Sequence, residues 1–219
     1  MAATPPSPLA PRKRPRQRRS EVTVDAVFQA SIQVLLADGL QALTTTRVAE
    51  RAGVSVGTLY QYFPNKHALL YAVLEQHLTR VSLAVGAAAL AVQGQPLASM
   101  VAAVVAAFVR AKTANVDEAR ALYAVASELD TAELVKDVAQ RGRDVLAALL
   151  ETAPGVRFEA PALTAFMLVG AMVGSTRAML EEGASAEMLA ALPGQLTSMC
   201  LGYLEREVRL VALTTTPDG

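Results

Sequence analysis

Residues 43–66, LTTTRVAERAGVSVGTLYQYFPNK, concentrate hydroxyl, phenol, amide and ammonium groups in one short stretch. Such groups form hydrogen bonds with phosphate oxygens and with the edges of bases. A cluster of Tyr60, Gln61 and Tyr62, followed by Pro64, Asn65 and Lys66, suits both kinds of contact. The stretch therefore predicts recognition of a nucleic acid.

Two short helices, predicted at 45–52 and 56–62, carry these groups, and Gly53 lies in the turn between them. Thr44 and Ser55 stand where an N-cap hydroxyl accepts from a backbone N–H, and Asn65 can cap a third helix that begins at Lys66. This is the layout of a helix-turn-helix, whose second helix enters the major groove of DNA. The residues expected to close a small core are Val48, Ala49, Ala52, Val54 and Leu59. The residues expected to face outward are Thr45, Thr46, Arg47, Val56, Gly57, Thr58, Tyr60, Gln61 and Tyr62.

The run 24–70 resembles the DNA-binding domain of TetR/AcrR-type transcriptional regulators. Its parts are an amphipathic first helix that ends at Asp38-Gly39-Leu40, the stretch quoted above, and a long helix that starts at Lys66. About 50 of the 219 residues carry the match. The resemblance implies a homodimer on a palindromic double-stranded DNA operator, a small-molecule effector bound in the C-terminal domain, and no cofactor or metal. The positions that match the family's DNA contacts are Thr45, Thr46, Arg47, Val56, Gly57, Thr58, Tyr60, Gln61, Tyr62 and Lys66.

Each of these contact positions suggests a role. Val56 and Tyr60 suit apolar contact with a thymine methyl, and Gln61 suits adenine or phosphate. Tyr62 and Lys66 suit phosphate, which positions the protein without specifying sequence. For Arg47 and the nearby Arg51, a solvated charge on the outer face of the preceding helix is the alternative.

The composition predicts an all-α protein, and the resemblance implies an N-terminal three-helix helix-turn-helix DNA-binding domain plus a larger helical ligand-binding and dimerisation domain. Hydrophobic residues make up 53% of the chain and charged residues 18%, and Gly/Pro-punctuated alternating strands are missing. The predicted parts are a disordered basic arm at 1–20, the helix-turn-helix domain at 21–66, a connecting helix at 67–92, an effector-binding and dimerisation domain at 93–211, and a disordered tail at 212–219. The resemblance implies that the last two long helices form a four-helix bundle between the subunits of the dimer, although they could instead complete the core of one subunit.

The charge is zero overall but unevenly placed. Six cations precede the first acid, Glu21, and the rest of the chain holds 14 bases against 20 acids. This favours one localised DNA-facing surface over a general polyanion binder. The arm either reaches DNA or is a solvated tail. A lone Cys200, an arm without an apolar core, and an apolar run at 162–174 too short to cross a bilayer predict a cytoplasmic protein without membrane contact.

The sequence predicts the effector site less specifically than the DNA-binding site. Apolar helix faces in the C-terminal half suit a lipophilic ligand, although such a stripe equally describes an ordinary core. The candidate lining residues are Val105, Phe108, Val109, Tyr123, Ser127, Met167, Ala171 and Met172. Polar groups that could orient a ligand, or could be exposed, are Arg110, Ser127, Glu128, Thr176 and Arg177.

Other functions fit the sequence less well. His67 and His77 are ten residues apart and do not converge on a metal, and neither a phosphate loop nor a base near Cys200 occurs in the sequence. An enzyme is therefore not expected. The alternative is a constitutive regulator, or one that a partner protein controls. A cavity of several hundred Å³ would count against that alternative.

Overall fold

The computed structural model describes residues 18–210, and the side chains of residues 20–208. Within this range the fold consists of nine helices and one short antiparallel strand pair, which confirms the all-α prediction. The predicted arm, apart from residues 18–20 at the start of α1, and the predicted tail lie outside the described residues. The elements are α1 (Arg18–Ala42), α2 (Thr45–Ala52), α3 (Val56–Tyr62), α4 (Lys66–Ala91), α5 (Leu97–Thr113), α6 (Val116–Glu128), α7 (Ala132–Leu150), β1 (Val156–Phe158), α8 (Pro161–Glu181), α9 (Ala186–Glu207) and β2 (Val208–Leu210).

The chain divides into two compact units. The first comprises the residues up to Leu78 together with Asn115–Leu134, and the second comprises Thr79–Ala114 together with the residues from Val135 onward. Helix α4 thus begins in the first unit and ends in the second. The predicted effector-binding and dimerisation domain at 93–211 includes α6, whereas the structure groups α6 with the first unit.

Helix α1 packs on α2 and α6 through one apolar face. Val27 is fully buried, and the ring of Phe28 lies 5.6 Å from that of Phe63, centroid to centroid. The three- and four-residue spacing in the sequence predicts a buried stripe on α1 through Val24, Val27, Phe28, Ile32, Leu35 and Leu36. This prediction is wrong at Leu36, which is 43% exposed, because the buried face runs through Ser31 and Val34. These positions continue the three- and four-residue spacing from Val27 better than Leu36 does.

Polar contacts join α6 to other helices of the first unit. His77 Nδ1 on α4 lies 3.4 Å from Glu118 Oε1 at the start of α6, and both side chains are largely buried. At the other end of α6, Gln41 Nε2 donates to Glu128 Oε1 over 3.0 Å. Residues far apart in sequence therefore fix α6 within this unit.

The second unit has a single apolar core. Helix α5 packs against α8 and α9, and α8 packs against α9. The largest fully buried side chains in this unit are Met100, Val105, Leu180, Leu196 and Leu204. The strand pair sets Phe158 opposite Val208, and the side chain of Phe158 is buried in the same core.

Helix α8 is also unusually apolar. It has 21 residues, and it is the one single helix in the described range long and apolar enough to cross a membrane. The apolar run at 162–174 is too short to cross a bilayer, but α8 continues to Glu181 with Arg177 as its sole cation. One such helix is weak evidence for a membrane span, because the core helices of globular proteins share these features. A third of its most apolar stretch is buried within the protein.

Lys112, in the last turn of α5, is the most deeply buried cation among the described side chains, at 6% exposure. Burial disfavours the charged ammonium and lowers the pKa of Lys112 to about 8, from 10.5. Below about pH 8 the lysine is protonated in both the folded and the unfolded chain. Between pH 8 and 10.5 the unfolded chain binds more protons, so stability rises with pH in this window.

We expect the substitution Lys112→Met to stabilise the fold at pH 7, by at most about 3 kcal/mol, because it removes the desolvated charge. It should also abolish the rise in the free energy of unfolding between pH 8 and 10.5. Urea unfolding at a series of pH values measures both effects. Lys136→Met, at an exposed lysine on α7, is the matched control. An unchanged pH slope in Lys112→Met would contradict this assignment.

Candidate nucleic-acid interface and apolar cavities

Side-chain caps define the ends of the two short helices. The hydroxyl of Thr44 accepts from the backbone N–H of Arg47 over 3.3 Å and begins α2. The hydroxyl of Ser55 accepts from the N–H of Thr58 over 2.9 Å and begins α3. Asn65 Oδ1 accepts from the N–H of Ala68 over 2.8 Å, at the start of α4. All three caps predicted from the sequence are confirmed.

The turn between α2 and α3 depends on Gly53, whose φ of 69° lies in the left-handed region. This conformation lets the Gly53 N–H donate to Glu50 O and the Val54 N–H donate to Ala49 O, over 3.2 and 3.0 Å. These bonds satisfy carbonyls at the end of α2. A small core beneath the turn sets the position of α3, and its fully buried members are Val48, Ala49 and Leu59.

Most of the predicted contact residues lie on the outside of this unit. Those with exposed side chains or backbone are Thr46, Arg47, Gly57, Tyr60 and Gln61, and those partly exposed are Val56, Thr58, Tyr62 and Lys66. Helix α3 carries no charged side chain, so its outer face offers phenol, hydroxyl, amide and methyl groups. Such groups can read base edges without adding net charge.

Thr45 is the exception, because its side chain is 8% exposed and does not face outward. Its Oγ1 lies 3.0 Å from the phenol oxygen of Tyr60, so a hydrogen bond joins the start of α2 to α3. The Tyr60 ring remains 41% exposed. Thr45 therefore holds the Tyr60 phenol in place rather than presenting its own hydroxyl. Residue spacing does not reveal this bond, since it links residues 15 apart across a turn.

The two cations at the edges of this surface both bond to the end of α1. Arg47 Nη1 donates to Asp38 Oδ2 over 3.0 Å and to the carbonyl of Ala42 over 3.4 Å. Lys66 Nζ donates to the carbonyl of Leu40 over 2.6 Å. An ammonium has three N–H donors, so this bond leaves Lys66 able to contact a phosphate as well.

Two small cavities with almost entirely apolar walls lie among the described residues of the second unit. The larger has a volume of about 80 Å³ and lies among α4, α5, α7 and α8, with Ser82 as its one polar wall residue. The smaller, of about 20 Å³, includes Cys200, and burial raises the pKa of this thiol. The two cavities share the wall residues Val104, Leu146 and Met172.

The predicted effector residues are distributed unevenly around these cavities. Phe108 and Met172 line the larger one, and Val105 and Met172 line the smaller one. Val109 is buried and Ala171 is partly buried, but neither residue lines a cavity. Met167 is 49% exposed. Tyr123 and Ser127 belong to the first unit, and the exposed Ser127 hydroxyl donates to the carbonyl of Tyr123. Of the polar candidates, Thr176 is buried, whereas Arg110, Glu128 and Arg177 are exposed.

A helix-turn-helix with an uncharged polar recognition helix, joined in one chain to a helical unit with apolar cavities, defines a DNA-binding transcription regulator. Two family models match the chain. The model of bacterial regulatory proteins of the tetR family covers residues 27–73, and that of the tetracyclin repressor-like C-terminal domain covers residues 96–204. The chain belongs to the TetR family, whose members are regulators rather than enzymes.

Curated relatives match in a limited region. The HTH-type transcriptional repressor KstR of Mycolicibacterium smegmatis is 38% identical over 76 residues, which is 35% of each chain. The tetracycline repressor protein class C of Escherichia coli is 46% identical over 55 residues, or 25% of each chain. The matches thus span about a third and a quarter of these relatives' own length.

Solved structures resemble the chain over most of its length. A transcriptional regulator from Rhodococcus sp. Rha1 superposes with a TM-score of 0.68 at 19% identity, covering 86% of this chain and 98% of that one. A SmeT–triclosan complex superposes with a TM-score of 0.65 at 18% identity, covering 90% and 98%. At these identities the similarity shows the fold alone.

The Thr45–Tyr60 hydrogen bond predicts that these two residues act as a pair. We expect Thr45→Val and Tyr60→Phe each to lower the free energy of unfolding by about 1 kcal/mol, because each removes one partner of the same bond. The double variant should cost little more than either single one, which a double-mutant cycle in urea would show. Thr46→Val, at the exposed neighbour, is the control. Strictly additive losses would mean that the bond does not form in solution.

Proposed function

We propose that this protein is a homodimeric, cytoplasmic transcriptional repressor that leaves a palindromic DNA operator when a small lipophilic ligand binds its second unit. The observation that carries the proposal is the division of α3 into two faces. Tyr60 and Gln61 are exposed on the outer face, whereas Leu59 on the inner face is fully buried. A short helix with one buried apolar face and one exposed polar face is suited to binding in the major groove of DNA.

The proposed DNA contacts divide into two kinds. Tyr60, held by Thr45, and Gln61 would contact base edges, with Val56 against a thymine methyl. Thr46, Tyr62 and Lys66 would contact phosphates and set the register of the protein on the duplex. Arg47, Gly57 and Thr58 are the other proposed DNA-contact residues of α2 and α3, and we assign neither kind of contact to them.

Dimerisation is supported by the apolar surface of α8 and α9. Exposed large apolar side chains on these two helices are Leu163, Phe166, Met167, Val173, Met188 and Met199. Gly170 and Gly174 lie on α8 one turn apart, and a Cβ at either position would meet no atom within 4 Å. Small residues of this kind let a second helix approach closely, and a second copy of the chain would present the same face. A dimer would set two recognition helices on successive major grooves, roughly 34–36 Å apart.

Ligand control is supported by the apolar walls of the two cavities. The relatives include proteins named as repressors, and the SmeT structure is named as a complex with triclosan. Release of DNA would follow if the ligand favours a conformation of the dimer that does not match the operator. Shifting the occupancy from 99:1 to 1:99 requires about 5.5 kcal/mol of differential affinity, and DNA must weaken ligand binding by the same amount. Helix α4, which runs from one unit into the other, would connect the two events.

The size of the cavities favours a second candidate function. At about 80 and 20 Å³ they are smaller than typical pockets for drug-sized ligands, which are about 300–1,000 Å³. A constitutive regulator, or one controlled by a partner protein, would not need a larger space. Ligand control therefore requires the cavities to enlarge on binding.

The two kinds of DNA contact predict different losses. We expect Tyr60→Ala to weaken binding to DNA selected by the wild-type protein from a random pool by about 1–3 kcal/mol more than binding to unselected DNA. Lys66→Ala should weaken both about equally and reduce the salt slope of log K by about 1. Fluorescence anisotropy at several salt concentrations measures these quantities, with Lys136→Ala on α7 as the control for Lys66. Equal losses on both DNAs for Tyr60→Ala would exclude it from base recognition.

The proposed dimer face predicts a change of oligomeric state. We expect Met167→Glu to convert the dimer to a monomer, because it sets a charge in the apolar contact, and to weaken operator binding by about 100-fold or more through the loss of bivalency. Leu90→Glu, at an equally apolar and 70% exposed position on α4, should leave the dimer intact. Sedimentation velocity and DNA titration give the two readouts. A monomeric wild-type protein would refute the proposal.

A further inference from the structure

Met172 is the one flexible, unbranched side chain among the residues that line both apolar cavities of the second unit. It is 4% exposed, and it lines both cavities together with Val104 and Leu146. Methionine is unbranched and changes rotamer readily, so it fills irregular gaps and gives way more easily than a branched side chain. A rotation of Met172 would join two spaces that are each too small for an organic ligand into one longer space.

One turn beyond Met172 on the same face of α8 lies Thr176, whose hydroxyl lacks a hydrogen-bond partner. Its side chain is fully buried, and Oγ1 makes no hydrogen bond within the described residues. Thr164, three turns earlier on the same buried face, donates normally to the carbonyl of Ala160 over 3.1 Å. A buried hydroxyl without a partner is costly, so an unbonded one of this kind indicates a missing partner.

The walls of both cavities contain no ionisable side chain apart from the Cys200 thiol. A carboxylate placed there would lose its hydration without gaining a counter-charge, which is far more costly than burying a neutral oxygen. Lys112, one turn beyond the wall residue Phe108 on α5, is the cation to consider as such a partner. Its side chain already interacts with another group of the protein, whereas Thr176 does not.

We propose that the ligand of this unit is an uncharged, elongated hydrophobic molecule with one hydrogen-bonding oxygen, such as an alcohol, ketone or ester. Its apolar body displaces Met172 and occupies the joined cavities. Thr176 lines neither cavity in the ligand-free protein, but a helical side chain points toward the preceding turn, where Met172 lies, so displacement of Met172 lets the ligand's oxygen bond to the Thr176 hydroxyl. This inference rests on the proposed ligand control and adds the chemical class of the ligand and the residue that selects it.

An NMR titration tests this proposal through the methyl signal of Met172. The chain has seven methionines, so carbon-13 labelling of their methyl groups gives a simple NMR spectrum in which Met172→Leu assigns the signal of interest. The full-length protein is titrated with 1-octanol, 1-chlorooctane and octanoate, which share a similar chain and differ in the terminal group. We expect saturable shifts of the Met172 signal, with 1-octanol binding about three- to tenfold more tightly than either of the other two, the effect of one neutral hydrogen bond.

Matched threonine variants test the role of the hydroxyl. Thr176→Val should reduce the affinity for 1-octanol to that for 1-chlorooctane, and Thr176→Ser should restore the preference. Thr164→Val should keep it. In the absence of ligand, Thr176→Val should raise the Tm, because it removes a buried hydroxyl that lacks a partner, whereas Thr164→Val should lower it.

The outcomes separate this inference from the function on which it rests. If all three compounds bind without an oxygen preference, or if Thr176→Val retains the preference, the inference is wrong and ligand control stands. Tighter binding of octanoate that Lys112→Met abolishes would also overturn it, in favour of an acidic ligand. If none of the compounds moves the Met172 signal, the apolar site does not open, and both the inference and the ligand-controlled form of the function fail.

Discussion

The left-handed turn at Gly53 is the constraint on which the DNA-facing surface depends. A residue with a Cβ is strained at a φ of 69°, even though a Cβ here would meet no neighbouring atom. The constraint therefore comes from the backbone itself rather than from packing. Since the turn fixes the angle between α2 and α3, it also fixes the distance at which Thr45 can reach the phenol of Tyr60. The small core around Leu59 then packs α2 and α3 against each other.

In the proposed DNA complex, the polar groups of this surface would serve two different tasks. Helix α3 has no charged side chain, so its contribution to DNA binding would come from short-range hydrogen bonds and apolar contacts, which discriminate between bases. Charge is supplied at the edges by Arg47 and Lys66, and both already bond to the residues that end α1. A phosphate would compete with Asp38 for Arg47, whereas Lys66 retains further donors beside its bond to Leu40. Lys66 is thus the better placed of the two to neutralise DNA.

Local signals in the sequence predicted local structure well, and failed where distant residues decide. The caps at Thr44, Ser55 and Asn65 are confirmed because each involves a side chain and a backbone N–H three residues away. The burial of Thr45 could not be predicted, since it requires the position of Tyr60 across a turn. The same holds for α6, which joins the first unit through contacts between residues about 40 and 90 positions apart. The unsatisfied hydroxyl of Thr176 was equally invisible, because a lack of partners is a property of the folded surroundings.

Helix α8 combines the two properties on which regulation would depend. Its buried stripe runs through Leu168, Met172 and Thr176, of which Leu168 and Met172 line cavities. Met167, Gly170 and Gly174 lie on its exposed side. Val173 belongs to both, since it lines the larger cavity and is 37% exposed. A second copy that covers this side of α8 would therefore cover part of a cavity wall. Ligand entry and subunit contact would then involve the same helix. A ligand that displaces Met172 would therefore lie close to the proposed dimer face and would not need to act through α4 alone.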